Sequence, residues 1–353
     1  MHKLKIGIVG TGSISVAHIE AYLRNPHVEL YAFCDINETQ LAKMASLYNI
    51  HRTFTDVQKM LQLEELDAVS ICTWNSAHAA CSIAALEAGK HVLCEKPMAI
   101  SAAEAEAMQA AAERNNRLLM IGFVRRFGND CAILKDFIDA GSFGELYYAK
   151  ARYLRRHGNP GGWFGDKSRS GGGPLIDLGV HVIDLVRYLM GNPKPVSVYG
   201  ATWQKLFNRP HIIGEVAYES VSKSSDDICD VEDLAVALIR FANGAALSVE
   251  TSFSLNVGKD EGIIELFGTK AGAKLDPELK IYTEMNNYLS NIEFDTPTAL
   301  SFDGLFAREI DHFVACIREG IPCLAPAADG VEIMRILDAI YESARTGHEV
   351  ILD

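Results

Sequence analysis

The chain has 353 residues, 48% of them hydrophobic and 22% charged, with a formal net charge of −13; this predicts about two globular domains with ample core. The acidic balance excludes a protein built on a basic face for nucleic-acid phosphates and argues against docking on anionic membranes. No window offers the ~18 uncharged apolar residues of a membrane span, and a first strand predicted from Leu4 leaves no room for a secretory leader, so a cytoplasmic location is expected.

The first third alternates short apolar runs with helical patterns. "LKIGIVG" (4–10) predicts a strand and 13–24 a helix; "VELYAFCD" (28–35) predicts the next strand and 38–48 its helix. "DAVSICT" (67–73) precedes a helix over 77–88, and "KHVLCE" (90–95) one over 101–115, before a last strand in "RLLMIGF" (117–123). Strands that are apolar on both faces and alternate with helices predict a doubly wound parallel sheet over residues 1–123.

Residues 124–353 follow a different pattern. "ELYYAKARYLRR" (145–156) alternates as a half-exposed strand does, and a helix is predicted over 174–190. Residues 232–255 read as two strands joined at Asn243-Gly244, a strong hairpin signal. "GIIELFGTKAGAKL" (262–275) reads as strand, glycine turn and return, and helices are predicted over 304–319 and 327–346. The fold class is therefore α/β: a doubly wound domain, then an α+β domain with a large, open, mainly antiparallel sheet. Such a sheet needs cover from its own helices or from a partner subunit.

Gly10-Thr11-Gly12-Ser13-Ile14-Ser15 follows the first strand and opens a helix, the context of a dinucleotide fingerprint. One glycine makes the turn, the next lets backbone approach a pyrophosphate, and the helix N-terminus supplies N–H donors to the anion. Ser15 departs from the Gly/Ala of the third position, which should loosen helix–strand packing slightly but not block the phosphates. Asp35 ends the second strand, where a carboxylate binds ribose hydroxyls and repels a 2′-phosphate. NAD is expected rather than NADP; Asp35 as a plain turn residue is the alternative.

Thr73 and Lys96 fall at the C-terminal ends of strands, where ligands of doubly wound sheets lie. Pro97 follows Lys96, which is an unusual position for a merely solvated lysine. In "SGGGPLIDLGVHVIDLVRYL" (170–189), Asp177 and His181 are i,i+4 neighbours, joined at i+7 by Asp184. Alcohol oxidation by hydride transfer needs a base, which histidine suits, and a cation to stabilise the alkoxide, which Lys96 supplies. Asp177 either orients His181 or holds a neighbouring hydroxyl. A structural histidine is the bland alternative. Asp177 and His181 also have metal-ligand spacing, but with no third His or Cys nearby in sequence no metal is expected. The eight cysteines contain no C-x-x-C pair, so they read as reduced thiols, with neither a disulfide framework nor a zinc site.

"GIVGTGSIS", "ICTWNSAH", "GKHVLCEKPMA", "GGGPLIDLGVHVIDL" and "AIYESARTGHEVIL" together resemble the Gfo/Idh/MocA oxidoreductases over nearly the whole chain. The resemblance implies Lys96 as catalytic lysine, His181 as acid/base and Asp177 as its partner at the substrate. It implies cofactor contacts from Gly10, Gly12, Ser13, Ile14, Asp35, Thr73, His78 and Glu95, with Trp74 and Lys96 beside them. It implies a Lys96–Pro97 bond that is frequently cis, and dimers or tetramers built through the C-terminal sheet. Trp74 stands where many members have proline.

The loop "RRHGNPGGWFGDKSRSGGG" (155–173) is glycine-rich and basic. Trp163 either stacks on a sugar C–H face or pins the loop. Arg126 either reaches the substrate or bridges the domains; His157, Lys167 and Arg169 are lesser candidates. The leading reading is an NAD-dependent dehydrogenase acting on a secondary hydroxyl of a cyclic polyol, sugar or glycoside. An NAD-recycling glycoside-modifying enzyme and a non-catalytic cofactor sensor are the alternatives; the sensor has no need for the Lys96, Asp177 and His181 set.

Overall fold

The computed structural model describes residues 3–206, 209, 212, 218–224, 226–302 and 304–352. The chain forms two compact units, Met1–Val124 with Asp303–Met334, and Arg125–Phe302 with Arg335–Asp353. The sequence reading gave all of 124–353 to the second domain, whereas residues 303–334 pack with the first. The cause is apolar patterning: the helix Leu305–Glu319 buries Ile310, Phe313 and Val314 and packs on Ser13–Arg24.

In the first unit, β1 (Leu4–Val9), β2 (Val28–Cys34), β3 (Thr53–Phe54), β4 (Ala68–Ile71), β5 (His91–Glu95) and β6 (Leu119–Gly122) form one sheet. Its order is β3-β2-β1-β4-β5-β6, every pair parallel. This is the doubly wound order, with the ligand crevice at the C-terminal strand ends. The connecting helices are α1 (Ser13–Arg24), α2 (Glu38–Tyr48), α3 (Val57–Leu61), α4 (His78–Glu87) and α5 (Ala102–Asn115). β3 and α3 were not predicted, because elements of two and five residues carry no readable periodicity. Caps fix the longer helices: the Asn37 side chain accepts from the Gln40 N–H and Ser101 from the Glu104 N–H.

The second unit contains α6 (Asn129–Asp139), β7 (Leu146–Leu154), a short turn α7 (Lys167–Ser170), a π-helical turn Leu175–Gly179, α8 (Val180–Leu189) and β8 (Pro195–Trp203). It continues with β9 (Leu234–Phe241), β10 (Ala246–Ser252), β11 (Glu261–Gly268), β12 (Ala271–Leu275), β13 (Lys280–Met285) and β14 (Tyr288–Ile292). The remaining elements are α9 (Leu305–Glu319), α10 (Ala327–Thr346), within which the units divide, and β15 (Val350–Ile351).

The nine-stranded sheet runs β14-β13-β12-β11-β7-β10-β9-β8-β15. Only β7 with β10 is parallel; the other pairs are antiparallel. The predicted hairpin turns at Asn243-Gly244, with Gly244 at φ +87° and the Asn243 side chain accepting from the Ala245 N–H. One face buries Val198, Ile239, Leu247, Val249, Ile264 and Leu266, with α8 packed on β7 and β11. The other face leaves Tyr199 and Leu238 exposed. No described helix is long and apolar enough to cross a membrane, and none of the eight cysteines is in a disulfide.

Candidate active site

In the first unit the glycine loop has the form that a dinucleotide requires. Gly10 sits at φ +87°, and a Cβ there would lie 2.5 Å from the Cys72 carbonyl oxygen, so only glycine fits. Gly12 has nothing within 4 Å of its Cβ position, and α1 starts without a side-chain cap. Its first-turn N–H groups therefore remain available to an anion. Ser13 is exposed and Ile14 half-buried beside this opening. Ser15 is buried, and its hydroxyl donates to the Gly12 carbonyl at 2.7 Å. The departure from glycine or alanine is thus absorbed by one local hydrogen bond.

Asp35 has a second role that the sequence did not reveal. Its carboxylate accepts the Thr11 N–H at 2.7 Å and the Thr11 hydroxyl at 2.8 Å, and the Asn37 N–H at 2.8 Å. The residue that suits ribose hydroxyls also fixes the phosphate loop. The loop and Asp35 together fit NAD, which when bound accepts hydride at its nicotinamide.

Lys96 follows the buried strand β5 and is half-exposed; its bond to Pro97 is cis. The Lys96 N–H donates to the Glu95 carboxylate at 3.1 Å. Glu95 is buried and pairs with His18 Nε2 at 2.8 Å; His18 Nδ1 lies 3.3 Å from the Ser70 hydroxyl, which Tyr22 also meets. Burial by itself raises the Glu95 carboxyl. The His18 hydrogen bond and charge, with the Lys96 charge and amide, outweigh that and hold it below the usual carboxylate range. Glu309 of α9 stands beside this pair, fully buried, with neither carboxylate oxygen hydrogen-bonded. Burial and the Glu95 charge push it well above the ordinary range.

His78 braces this loop. Its Nδ1 lies 2.7 Å from the Pro97 carbonyl and its Nε2 3.2 Å from that of Thr73, tying the ends of β4 and β5 together. Burial lowers its ring below the ordinary imidazole range, which the two carbonyls and Glu95 only partly oppose. Both His78 and Glu95 are buried, and through these bonds they support the loop. Thr73 and Trp74 are half-exposed, with the Thr73 hydroxyl donating to the Trp74 carbonyl at 3.2 Å.

The second unit carries the other polar pair. Between Gly172 and Arg187 every residue is buried except Asp177 and His181. The helix begins in the π-helical turn that contains Asp177 and continues as α8, whose second residue is His181; π-turns occur frequently at functional sites. Its N-terminus is held from far along the chain. The buried Glu232 carboxylate accepts the Gly173 N–H at 3.0 Å, the Leu175 N–H at 3.1 Å and the Tyr341 hydroxyl at 2.9 Å. Burial raises Glu232 above the usual carboxylate range, with those donors opposing it. Nothing in local sequence pointed to Glu232 or Tyr341, which lie 57 and 109 residues from their partners in these bonds.

Arg126, read as a substrate contact or a domain bridge, is buried within the second unit. It forms a fork on Asp184 at 3.0 and 2.6 Å, with its guanidinium over the Tyr188 ring. That bidentate pair ties Arg126 to α8. Trp163 is half-exposed and stacks on Phe164 at 4.0 Å between centroids, and Phe164 meets Tyr218 edge-on. The loop around it is braced by the Lys167 N–H on Asp230 at 2.7 Å and the Asp230 N–H on the Gly165 carbonyl. His157 forms a bridge with Ser254; Lys167 and Arg169 are exposed.

Family models cover most of the chain. Residues 4–123 match the oxidoreductase family with an NAD-binding Rossmann fold, and residues 135–352 match the C-terminal alpha/beta domain of the same family. D-glucoside 3-dehydrogenase of Escherichia coli is 34% identical over 351 residues, spanning 98% of this chain and 97% of that relative. The scyllo-inositol 2-dehydrogenase (NAD(+)) of Bacillus subtilis is 28% identical, spanning 100% and 97%. Among solved structures, an oxidoreductase domain protein from Kribbella flavida superposes with a TM-score of 0.88 at 28% identity, covering 100% of each chain. Levoglucosan dehydrogenase in complex with NADH superposes at 0.87 with 26% identity and the same coverage. With both halves of the fold and its glycine loop accounted for in this way, the chain belongs to the Gfo/Idh/MocA oxidoreductases and is an enzyme acting on CH–OH groups with NAD as its cofactor.

Proposed function

We propose that this enzyme is a dehydrogenase that takes hydride from a secondary hydroxyl of a cyclic polyol, sugar or glycoside. The observation that carries the reading is the segment 172–187, in which Asp177 and His181 alone are open among buried residues. Such a pair suits a base for the hydroxyl proton, with Asp177 orienting the imidazole or holding an adjacent hydroxyl. Lys96, fixed after a buried strand, supplies the positive charge that stabilises the developing alkoxide. Gly10, Gly12, Ser13, Ile14 and Asp35 hold the cofactor, and Thr73 and Trp74 border its nicotinamide end. Trp163 offers a half-exposed aromatic face to a sugar. The names of the glucoside, levoglucosan and inositol relatives support this substrate class.

We also infer that a second copy of the chain covers the open face of the nine-stranded sheet, since Tyr199 and Leu238 there are exposed apolar groups on neighbouring strands. Light scattering should return a dimer or tetramer, and a monomer at assay concentration would remove this inference.

The function is tested by nicotinamide absorbance with added NAD across glucosides, aldoses, anhydrosugars and inositols, followed by chromatography of the products. Steady NADH formation with one compound supports the dehydrogenase and identifies its substrate. Altered or cleaved glycoside without net NADH would favour an enzyme that recycles its cofactor.

A further inference from the structure

A cluster of soft ligands lies in the first unit, outside the residues assigned above. His312 and Cys316 are one turn apart on α9, and Cys323 comes from the segment that follows it. Their ligand atoms all lie within 4.8 Å of one another, with His312 Nε2 3.4 Å from Cys316 Sγ. A scan for C-x-x-C pairs misses this arrangement, because the two cysteines are separated by six residues that contain the end of a helix.

We propose that His312, Cys316 and Cys323 form a zinc-binding site. Bond lengths of ~2.3 Å to sulfur and ~2.0 Å to nitrogen in a tetrahedral centre put ligand atoms roughly 3.5–3.8 Å apart. The His312–Cys316 separation already meets that spacing, and movements of about 1 Å bring in the third ligand. Two thiolates and an imidazole select a borderline-soft d¹⁰ ion over magnesium or calcium, which take oxygen ligands. His312 and Cys323 are half-exposed and Cys316 lies buried just beneath them, so an ion can enter from their side, and water completes the tetrahedron. The site also sits at the C-terminal end of α9, where the helix dipole favours a cation. Zinc displaces one proton from each cysteine thiol, and the neutral imidazole coordinates through Nε2. The Leu324 N–H, which donates to Nε2 at 2.9 Å, gives up that lone pair to the metal.

The consequence is a staple. Gly320 ends α9 at φ +69°, and the segment beyond Cys323 runs directly to the parallel sheet. There the Ala325 carbonyl accepts the Ile121 N–H at 2.9 Å and Pro326 bridges Met120. A metal on His312, Cys316 and Cys323 ties the end of α9 to that edge.

The test uses full-length protein freed of metal by chelator under reducing conditions, titrated with Co²⁺ and then with Zn²⁺. One equivalent of Co²⁺ should produce thiolate charge-transfer absorption and intense tetrahedral d–d bands, which Zn²⁺ then bleaches. Zn²⁺ should also raise Tm by several degrees. Cys316→Ser and Cys323→Ser should each abolish the bands, His312→Gln should weaken binding at least tenfold, and the Cys229→Ser control should bind normally. Far-ultraviolet circular dichroism and NADH formation, unchanged in these variants, establish that they remain folded. Absence of the bands, bands that survive both serine variants, or a Cys316–Cys323 disulfide found by mass spectrometry in place of metal would each overturn the proposal.

Discussion

Lys96 and the Asp177–His181 pair are both polar groups opened at the edge of otherwise buried segments, yet the supports behind them differ in kind. Lys96 stands at the end of a five-residue strand and is held by a compact shell: Glu95, His18 and the His78 bridge between two neighbouring loops. Asp177 and His181 stand on a helix whose first turn is tied to Glu232 and Tyr341, and whose middle is tied to Arg126. A strand end in a parallel sheet is already aimed by its neighbours, so little further is needed to present a side chain there. A helix can rotate and slide on the sheet that it covers, so its register has to be fixed by remote polar contacts.

The sharpest way to separate the two is to remove the groups proposed to react. Lys96→Ala should lower turnover by roughly 10³-fold or more while NAD binding, followed by fluorescence, is retained; near-normal turnover would take Lys96 out of the mechanism. His181→Asn should lower turnover by about 10²–10⁴-fold and remove the acid limb of the pH–rate profile. An unchanged limb would assign the base elsewhere.

Support residues should give smaller effects. Glu232→Gln leaves a side-chain N–H₂ facing backbone donors, so kcat should fall about tenfold through a misplaced helix, with the Kd for NAD unchanged. Tyr341→Phe, which removes one of three bonds, should fall less. If NAD binding weakened in step with kcat, Glu232 would belong to general stability rather than to positioning. In the first unit, Asp35→Ala removes both the carboxylate proposed to bind the ribose and the anchor of Thr11. NAD affinity should drop about tenfold and discrimination against NADP should relax; strict preference retained would mean that another group reads the ribose.

The smallest effect concerns Glu309 and is one of stability. Its folded-state pKa is raised, so its contribution is fully present below the unfolded carboxylate range near ~4.3. That contribution is lost as pH rises through this value towards the folded one. Within that window the wild type should lose about 1.4 kcal/mol per pH unit through this group. Glu309→Gln should flatten the slope in urea unfolding between pH 5 and 7. Glu95 has the opposite sign, being lowered: its contribution is present above the unfolded value and is lost as pH falls through the folded one. An identical slope in Glu309→Gln would mean that Glu309 is ionised in the folded protein.

Legibility followed the range of the interactions. The glycine loop, Asp35, the strand before Lys96 and the Asn243-Gly244 hairpin are set by residues within a few positions, and the sequence reading located each of them. The two-residue β3, the single turn α3, and the edge strand β14 with its neighbour β13, whose residues are largely exposed, carried too little pattern to be read. Arg126 was readable as a charged group at a strand end. That it forks onto Asp184, 58 residues on, follows only from the packing of α8.

The sequence by itself determined the two architectures and the kinds of group at the site. Strand periodicity, glycine placement and the Asp/His spacing are local consequences of backbone geometry and side-chain burial. The tertiary structure alone decided the assignments that depend on distant neighbours. It gave Asp35 a contact with Thr11, made His78 and Glu95 supports and buried Glu309 beside Glu95, which raises its pKa. It also returned residues 303–334 to the first unit and gathered His312, Cys316 and Cys323. The physical reason is the same in each case: whether a polar side chain is open, paired or neutral depends on what the fold packs against it, and those partners lie tens to hundreds of residues away.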